Sequence, residues 1–243
     1  MVDAGQDRLR GEVEVSTVIP CHNGERYVAE TIRSVLRQGH DRLEIIVVDD
    51  GSTDRTREVV ESLGPPVRYV RQPRGGAARA RNGGVALATG AILAFLDADD
   101  LWPDGALSAL LAPLERDPGL GMTVGHMEQF VSPELPEEAR QQFRFSSEPV
   151  PARMCGSVLV RRSTFDLVGG FSTRLESGEF MDWILRAEAL GVRSATVPEV
   201  VLRRRLHRLN HGVVRRDARQ DYVRVVKAAL DRRRAAASQE PRA

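Results

Sequence analysis

The chain has 243 residues, room for one large domain or one domain with an appendage. Its 35 lysines plus arginines against 34 aspartates plus glutamates leave a formal charge of +1. That balance excludes a nucleic acid held by bulk charge, and the 42% hydrophobic content excludes a disordered chain. The longest nearly apolar run, residues 85–96, falls well short of the roughly 20 residues that a membrane-spanning helix needs. Asp3, Gln6, Asp7 and Arg8 interrupt any basic-then-apolar leader, so the expected location is cytoplasmic. Cys21 and Cys155 make neither a CxxC pair nor a disulfide framework and read as small core fillers.

After a polar lead, β-branched runs alternate with helical patterns. Residues 15–19 read as a buried strand closed by Pro20, followed by Tyr27, Val28, Ile32, Val35 and Leu36 at helical spacing. Residues 43–48 and 67–70 are further strands, separated by a helix that Asp54 can cap and whose inner face is Val59, Val60 and Leu63. An alanine-rich helix over 76–88, a strand over 91–96 and a helix burying Leu107, Leu110, Leu111 and Leu114 complete a regular first half. This order predicts an α/β fold, a mostly parallel sheet flanked by helices. The second half predicts strands at 122–131 and 157–160, with loop or short helix between them. It continues with helices at 163–168 and 180–190 and edge strands at 194–197 and 200–204. Last comes an amphipathic helix over 217–233 with Tyr222, Val225, Val226 and Leu230 inward, and a frayed tail from 235 to 243.

Ligands of open parallel sheets bind beyond the carboxyl ends of the strands. There the sequence places Pro20, Cys21, His22 and Asn23, then Asp49 and Asp50, then Asp97, Ala98, Asp99 and Asp100. No GxGxxG follows the first strand, and neither GxxxxGK[ST] nor GxSxG occurs. A phosphate therefore needs another neutralising group. Asp97 and Asp99, one residue apart at a strand end, can share a hard cation whose remaining ligands are phosphate oxygens and water. The alternative is a solvated acidic turn with Asp100 capping the next helix.

These features together resemble family 2 glycosyltransferases, which use nucleotide sugars and have the GT-A fold. The matching text is VSTVIPCHNGERYVAETIRSVLRQ, IIVVDDGSTDRT, GGAARARNGGVALATGAILAFLDADD and VGGFSTRL, in order between residues 15 and 175, and the resemblance covers residues 15 to about 206. The resemblance implies that Asp50 holds the nucleobase and that the turn at Pro20, His22 and Asn23 lines its pocket. It also implies that Arg81 reaches toward the nucleotide, unless it merely caps or packs its helix. Asp97, Ala98 and Asp99 would meet the sugar diphosphate, with Mg²⁺ or Mn²⁺ on Asp97, Asp99 and His207. A UDP-sugar is favoured over a GDP-sugar as donor. His211 lies four residues beyond His207, but the segment reads as extended, which argues against a shared helix face.

Three positions depart from the family pattern. His22 stands where a tyrosine is usual and Arg74 where an asparagine is usual. Third, the family's Glu-Asp pair, whose Asp is the general base of inverting members, appears here as Glu179 and Phe180. Glu179 and Asp182 are three apart at a helix start, so either could accept the acceptor's proton. Both could instead simply favour the helix N-terminus. The implied activity is inverting, metal-dependent transfer of a sugar to an acceptor hydroxyl. The acceptor itself, whether glycan, lipid-linked, peptide or small molecule, is not legible. Phe180 alone favours a catalytically silent nucleotide-sugar-binding module. A sugar nucleotidyltransferase would show a glycine-rich signature that residues 13–26 lack. The expected organisation is a GT-A domain over 13–206, with a nucleotide half to about 100 and an acceptor half beyond it, then a helical extension over 207–234. That basic helix could lie peripherally on an anionic inner membrane face, or simply pack with a solvated arginine side.

Overall fold

The computed structural model describes residues 15–143, 148–208, 210 and 219–237. The first half runs β1 (Val15–Cys21), α1 (Val28–Leu36), β2 (Leu43–Asp50), α2 (Thr56–Glu61), β3 (Val67–Gln72), α3 (Ala77–Leu87) and β4 (Ile92–Phe95). It continues with α4 (Ala106–Arg116), β5 (Met122–Val131), α5 (Glu137–Arg140), β6 (Val150–Pro151), β7 (Val158–Arg161), α6 (Arg162–Val168), α7 (Glu179–Ala189), β8 (Ser194–Leu206) and α8 (Arg219–Ala237).

The strands β3, β2, β1 and β4 lie side by side and parallel. The inner strands β1, β2 and β4 are buried almost throughout because both faces are covered, while β3 at the edge is only partly so. Val15, Ile19, Ile45, Val47, Ile92 and Ala94 face a core with α1 and α4, while Val18, Ile46, Val48, Leu93 and Phe95 face another with α3, α6 and α7. The sheet reverses after β4. There β7 joins antiparallel, β5 pairs antiparallel with β7 and β6, and β8 runs parallel along the far side of β5.

Three expectations need correction. Pro20 does not close β1, which continues to Cys21. The Val18 carbonyl accepts the Leu96 N–H on the β4 side, so Pro20 of the same parity lacks its N–H on that side, beyond where β4 ends. The two edge strands at 194–197 and 200–204 are one strand, β8, with register shifts between Val124, His126 and Met127 of its partner that leave Pro198 outside the ladder. The last helix turns another side inward than its hydrophobicity suggests. Val225 is buried, but Tyr222, Val223, Val226 and Leu230 are exposed.

Polar contacts set that orientation. The buried Asp221 carboxylate accepts the backbone N–H groups of Glu176 (2.9 Å) and Ser177 (3.4 Å), and Arg232 of α8 lies 3.5 Å from Asp182. Residues 13–14, His211, Asp217 and 238–243 lie outside the described residues. Among the described residues no helix is long and apolar enough to cross a membrane.

Candidate functional site

The carboxyl ends of β1, β2 and β4 bring the three polar clusters onto one rim, as the alternation of strands and helices requires. At the β1–β2 corner Asn23 adopts a left-handed φ of 52°, which a short amide side chain tolerates. Its Oδ1 accepts the Thr53 N–H at 2.9 Å and its own N–H donates to Ser52 Oγ at 2.8 Å, so it locks two loops together. His22 is exposed. Its Nδ1 lies 3.0 Å from the Asp50 carbonyl and its Nε2 meets the Arg74 guanidinium, so two of the departures from the family pattern touch each other.

Asp50 is buried, with its carboxylate engaged by the Gly75 and Gly76 N–H groups and by Gln72 Nε2, each at 2.8 Å. Gly76 has φ 87° and ψ 165°, a conformation open to glycine alone, which is how two successive amides reach one carboxylate. In this state Asp50 organises the loop that leads into α3. The sequence reading missed Gln72 and both glycines, although the GG pair before a helix was visible.

Beyond β4 the acidic turn divides its partners. Asp97 Oδ1 accepts from Arg81 Nη2 at 2.5 Å. Asp99 Oδ2 lies 2.8 Å from His207 Nε2 and accepts from Asn210 Nδ2 at 3.2 Å. His207 follows directly on β8 and is buried, and the Asn210 N–H donates to its carbonyl at 3.2 Å, so the chain turns here where the sequence reads as extended. Ala98 between them is half-buried. Asp100 caps no helix: its Oδ1 accepts the Arg205 backbone N–H at 2.9 Å. Burial, with Asp99 and Asp97 close by, pushes the Asp100 carboxyl well above the ordinary range.

Arg205 is the residue the sequence did not announce. It is 2% exposed, and its Nε donates to the Asp99 carbonyl at 2.9 Å while Nη2 donates to Glu30 at 2.5 Å. Its guanidinium lies 4.8 Å from the Tyr27 ring centre and 4.7 Å from that of Phe130. It thereby fastens the acidic turn to β8. Nothing in a run of three arginines marks the third as buried.

Glu179, the first residue of α7, is 15% exposed at its side chain, and its Oε1 accepts from Arg81 Nη1 at 2.5 Å. Arg81 therefore joins Asp97 to Glu179. Burial lowers its pKa and Cys155, Asp97 and Glu179 raise it, and the net effect holds the guanidinium above its usual value. Asp182 takes different partners, Arg186 Nε at 2.9 Å and Arg232. Phe180 packs with Phe171 and Trp183 at centroid distances of 6.2 and 6.4 Å, in the aromatic core with Phe95 and Phe165. The helix start thus sends Glu179 toward the acidic turn, Asp182 toward α8 and Phe180 into the core.

Asp97, Asp99 and His207 suit a divalent cation by chemistry, two carboxylates and an imidazole, a set that Mn²⁺ accepts readily. Among the described residues no group of three or more His, Cys, Asp or Glu side chains is arranged to hold a metal ion by itself, so substrate oxygens and water would have to supply the rest.

A family model described as Glycosyl transferase family 2 matches residues 16–171. An uncharacterised glycosyltransferase of Nostoc sp. is 38% identical over 117 residues, 45% of this chain and 35% of that protein. Chondroitin synthase of Pasteurella multocida is 28% identical over 228 residues, 90% of this chain but 23% of its own length. The chain thus spans a minor part of these relatives. In fold it is similar to TarS 1-349 of S. aureus in complex with UDP, with a TM-score of 0.70 and 18% identity over 90% of this chain and 65% of that one. A mannosyltransferase of Pyrobaculum calidifontis in complex with GDP-Man and Mn²⁺ gives a TM-score of 0.68 at 24% identity, over 90% of this chain and 64% of the other. The architecture is GT-A.

Proposed function

This chain belongs to glycosyl transferase family 2, and on that premise we propose that it transfers a sugar, with inversion, from a nucleoside diphosphate sugar to an acceptor hydroxyl. The observation that carries the reading is the approach of His207 Nε2 to Asp99 Oδ2, 2.8 Å, on the rim where the parallel strands end. Asp97, Asp99 and His207 would hold Mn²⁺ or Mg²⁺. Such an ion, when bound, neutralises the diphosphate and makes it a better leaving group.

The chain's own residues supply the rest. The turn at Pro20, His22 and Asn23, with Asp50, shapes the nucleoside side. Glu179 accepts the acceptor's proton as its oxygen bonds to the anomeric carbon and the bond to the diphosphate breaks. Asp182 is the weaker candidate because Arg186 and Arg232 already hold it. The UDP and GDP-Man complexes of the structural neighbours support a nucleotide sugar without choosing the base. A division into a nucleotide half over residues 13–100 and an acceptor half over 101–206 suits the sheet's reversal after β4. The exposed stripe of Tyr222, Val226 and Leu230, beside Arg224 and Lys227, supports a cytoplasmic enzyme touching an anionic membrane through α8.

Release of nucleoside diphosphate from UDP-GlcNAc, GDP-Man and related donors, with Mn²⁺, Mg²⁺ or EDTA, tests this. One donor should be cleaved slowly in water, only with metal, and not by Asp99→Ala. A second reading, a silent binding module, draws on the burial of Phe180 where the family carries its base. Donor binding without any turnover, in the presence of metal and a broad acceptor panel, would favour it.

A further inference from the structure

Arg81 is 4% exposed and divides its guanidinium between two carboxylates from opposite halves of the chain, Asp97 after β4 and Glu179 at the start of α7, both at 2.5 Å. Its Nε is buried without a partner. Glu179 uses Oε1 for this contact, and its Oε2 has no partner among the described residues. The helix that carries Arg81 has no freedom to back away. A Cβ on Gly84, three residues on, would lie 2.3 Å from Val18 Cγ1, so α3 is pressed directly on the sheet.

We propose that Arg81 is a positioning residue that sets Glu179 relative to the donor's reacting carbon, rather than a contact to the nucleotide. The inference rests on the reading of Glu179 as proton acceptor. A planar fork with two fixed N–H directions defines where both carboxylates stand, whereas an ammonium is a point charge that can serve either but not their separation. Glu179 begins its helix, where the preceding Gly178 is left-handed at φ 79°, and the Arg81 bond holds its carboxylate in one direction. With Oε1 held, Oε2 is left to meet the acceptor hydroxyl. A contact to the nucleotide, in contrast, would fall to a guanidinium that is itself buried, whose Nη1 and Nη2 both already serve carboxylates.

The test compares Arg81→Lys, Glu179→Asp and Glu179→Gln with the parent protein. Calorimetry gives the affinity for Mn²⁺ and for UDP or GDP with Mn²⁺, kinetics give kcat and KM for cleavage of the selected donor, and thermal melting confirms the fold. Arg81→Lys should leave Mn²⁺ affinity and donor KM within about threefold, because the charge beside Asp97 persists, and should cut kcat by about 10²-fold through misplacement of the base. Glu179→Asp, one methylene shorter, should reproduce that split even if Arg81→Lys folds poorly. Arg81→Lys combined with Glu179→Gln should lose no more than Glu179→Gln alone, since both act through one group. A donor KM raised tenfold with kcat intact in Arg81→Lys would make Arg81 a nucleotide contact and overturn the inference, as would multiplicative losses in the double variant. Unchanged kcat in Glu179→Gln would instead remove the base reading itself, and with it this role for Arg81.

Discussion

Family resemblance suggests restoring an aspartate at 180, and the packing predicts that the protein will resist. Phe180 is 7% exposed and its ring runs within 10° of parallel to that of Trp183, inside a cluster completed by Phe95, Phe165 and Phe171. Removing a buried phenylalanine ring costs about 3–5 kcal/mol. An aspartate adds the cost of a carboxyl group with no polar partner, about 1–3 kcal/mol on mutational scales even when it protonates. The total is at least about 4 kcal/mol, a large share of the usual 5–15 kcal/mol margin. For a chain of this length the unfolding entropy converts that into a fall of about 8 °C in Tm or more. Circular dichroism melts of Phe180→Asp, with Phe180→Leu as a control expected to lose less than half as much, measure it directly. An aspartate variant that melts within 2 °C of the parent and gains turnover would mean that position 180 faces the acceptor cleft and that the aromatic packing argument is wrong.

Asp99→Ala and His207→Ala should each weaken Mn²⁺ binding by about tenfold or more in calorimetry, while Asp182→Asn should leave it unchanged. Glu134 is exposed beside Ser132 and Tyr27; desolvation opposes its charge, but their hydroxyls favour the carboxylate more and bring its pKa down to about 2. A depressed carboxylate stabilises the fold above its ordinary pKa and loses that contribution as pH falls from about 4.5 toward about 2. Glu134→Gln should therefore lower Tm by about 2 °C at pH 7, about 1 kcal/mol after allowing for solvent, with the gap closing by pH 2. Gly84→Ala should destabilise by about 1–3 kcal/mol through the clash with Val18, read from chemical denaturation, and should lower kcat by displacing Arg81.

The parallel core was legible because Val15, Ile45 and Ile92 sit in short β-branched runs separated by helical spacing, a local signal. The placement of Asp97 and Asp99 on the rim was legible because residues just after a parallel strand stand at the sheet's carboxyl edge. The orientation of α8 was not, since hydrophobic periodicity points Tyr222, Val226 and Leu230 inward and the docking contacts are polar, Asp221 on two amides and Arg232 on Asp182. Nor could spacing say that Glu179 and Asp182, although one helical turn apart, take partners in different parts of the molecule. Arg81 was visible as a residue, but its buried bridge depends on two carboxylates that local pattern does not connect.

The span of these contacts along the chain governs when the site can exist. His207 is 108 residues from Asp99, Arg81 is 98 from Glu179, and Arg205 is 105 from Asp100 and 175 from Glu30. Each closes a long loop, and that entropy is lost before the contact returns anything. The local β1–α1–β2 and β2–α2–β3 units can assemble without them. Asp97 can meet Arg81 from within the first half, but Asp99 and Asp100 are joined to His207 and Arg205 only after β8 has added to β5. A divalent cation cannot nucleate such a site. An ion held by Asp97, Asp99 and His207 would bind a finished fold and slow unfolding more than it speeds folding.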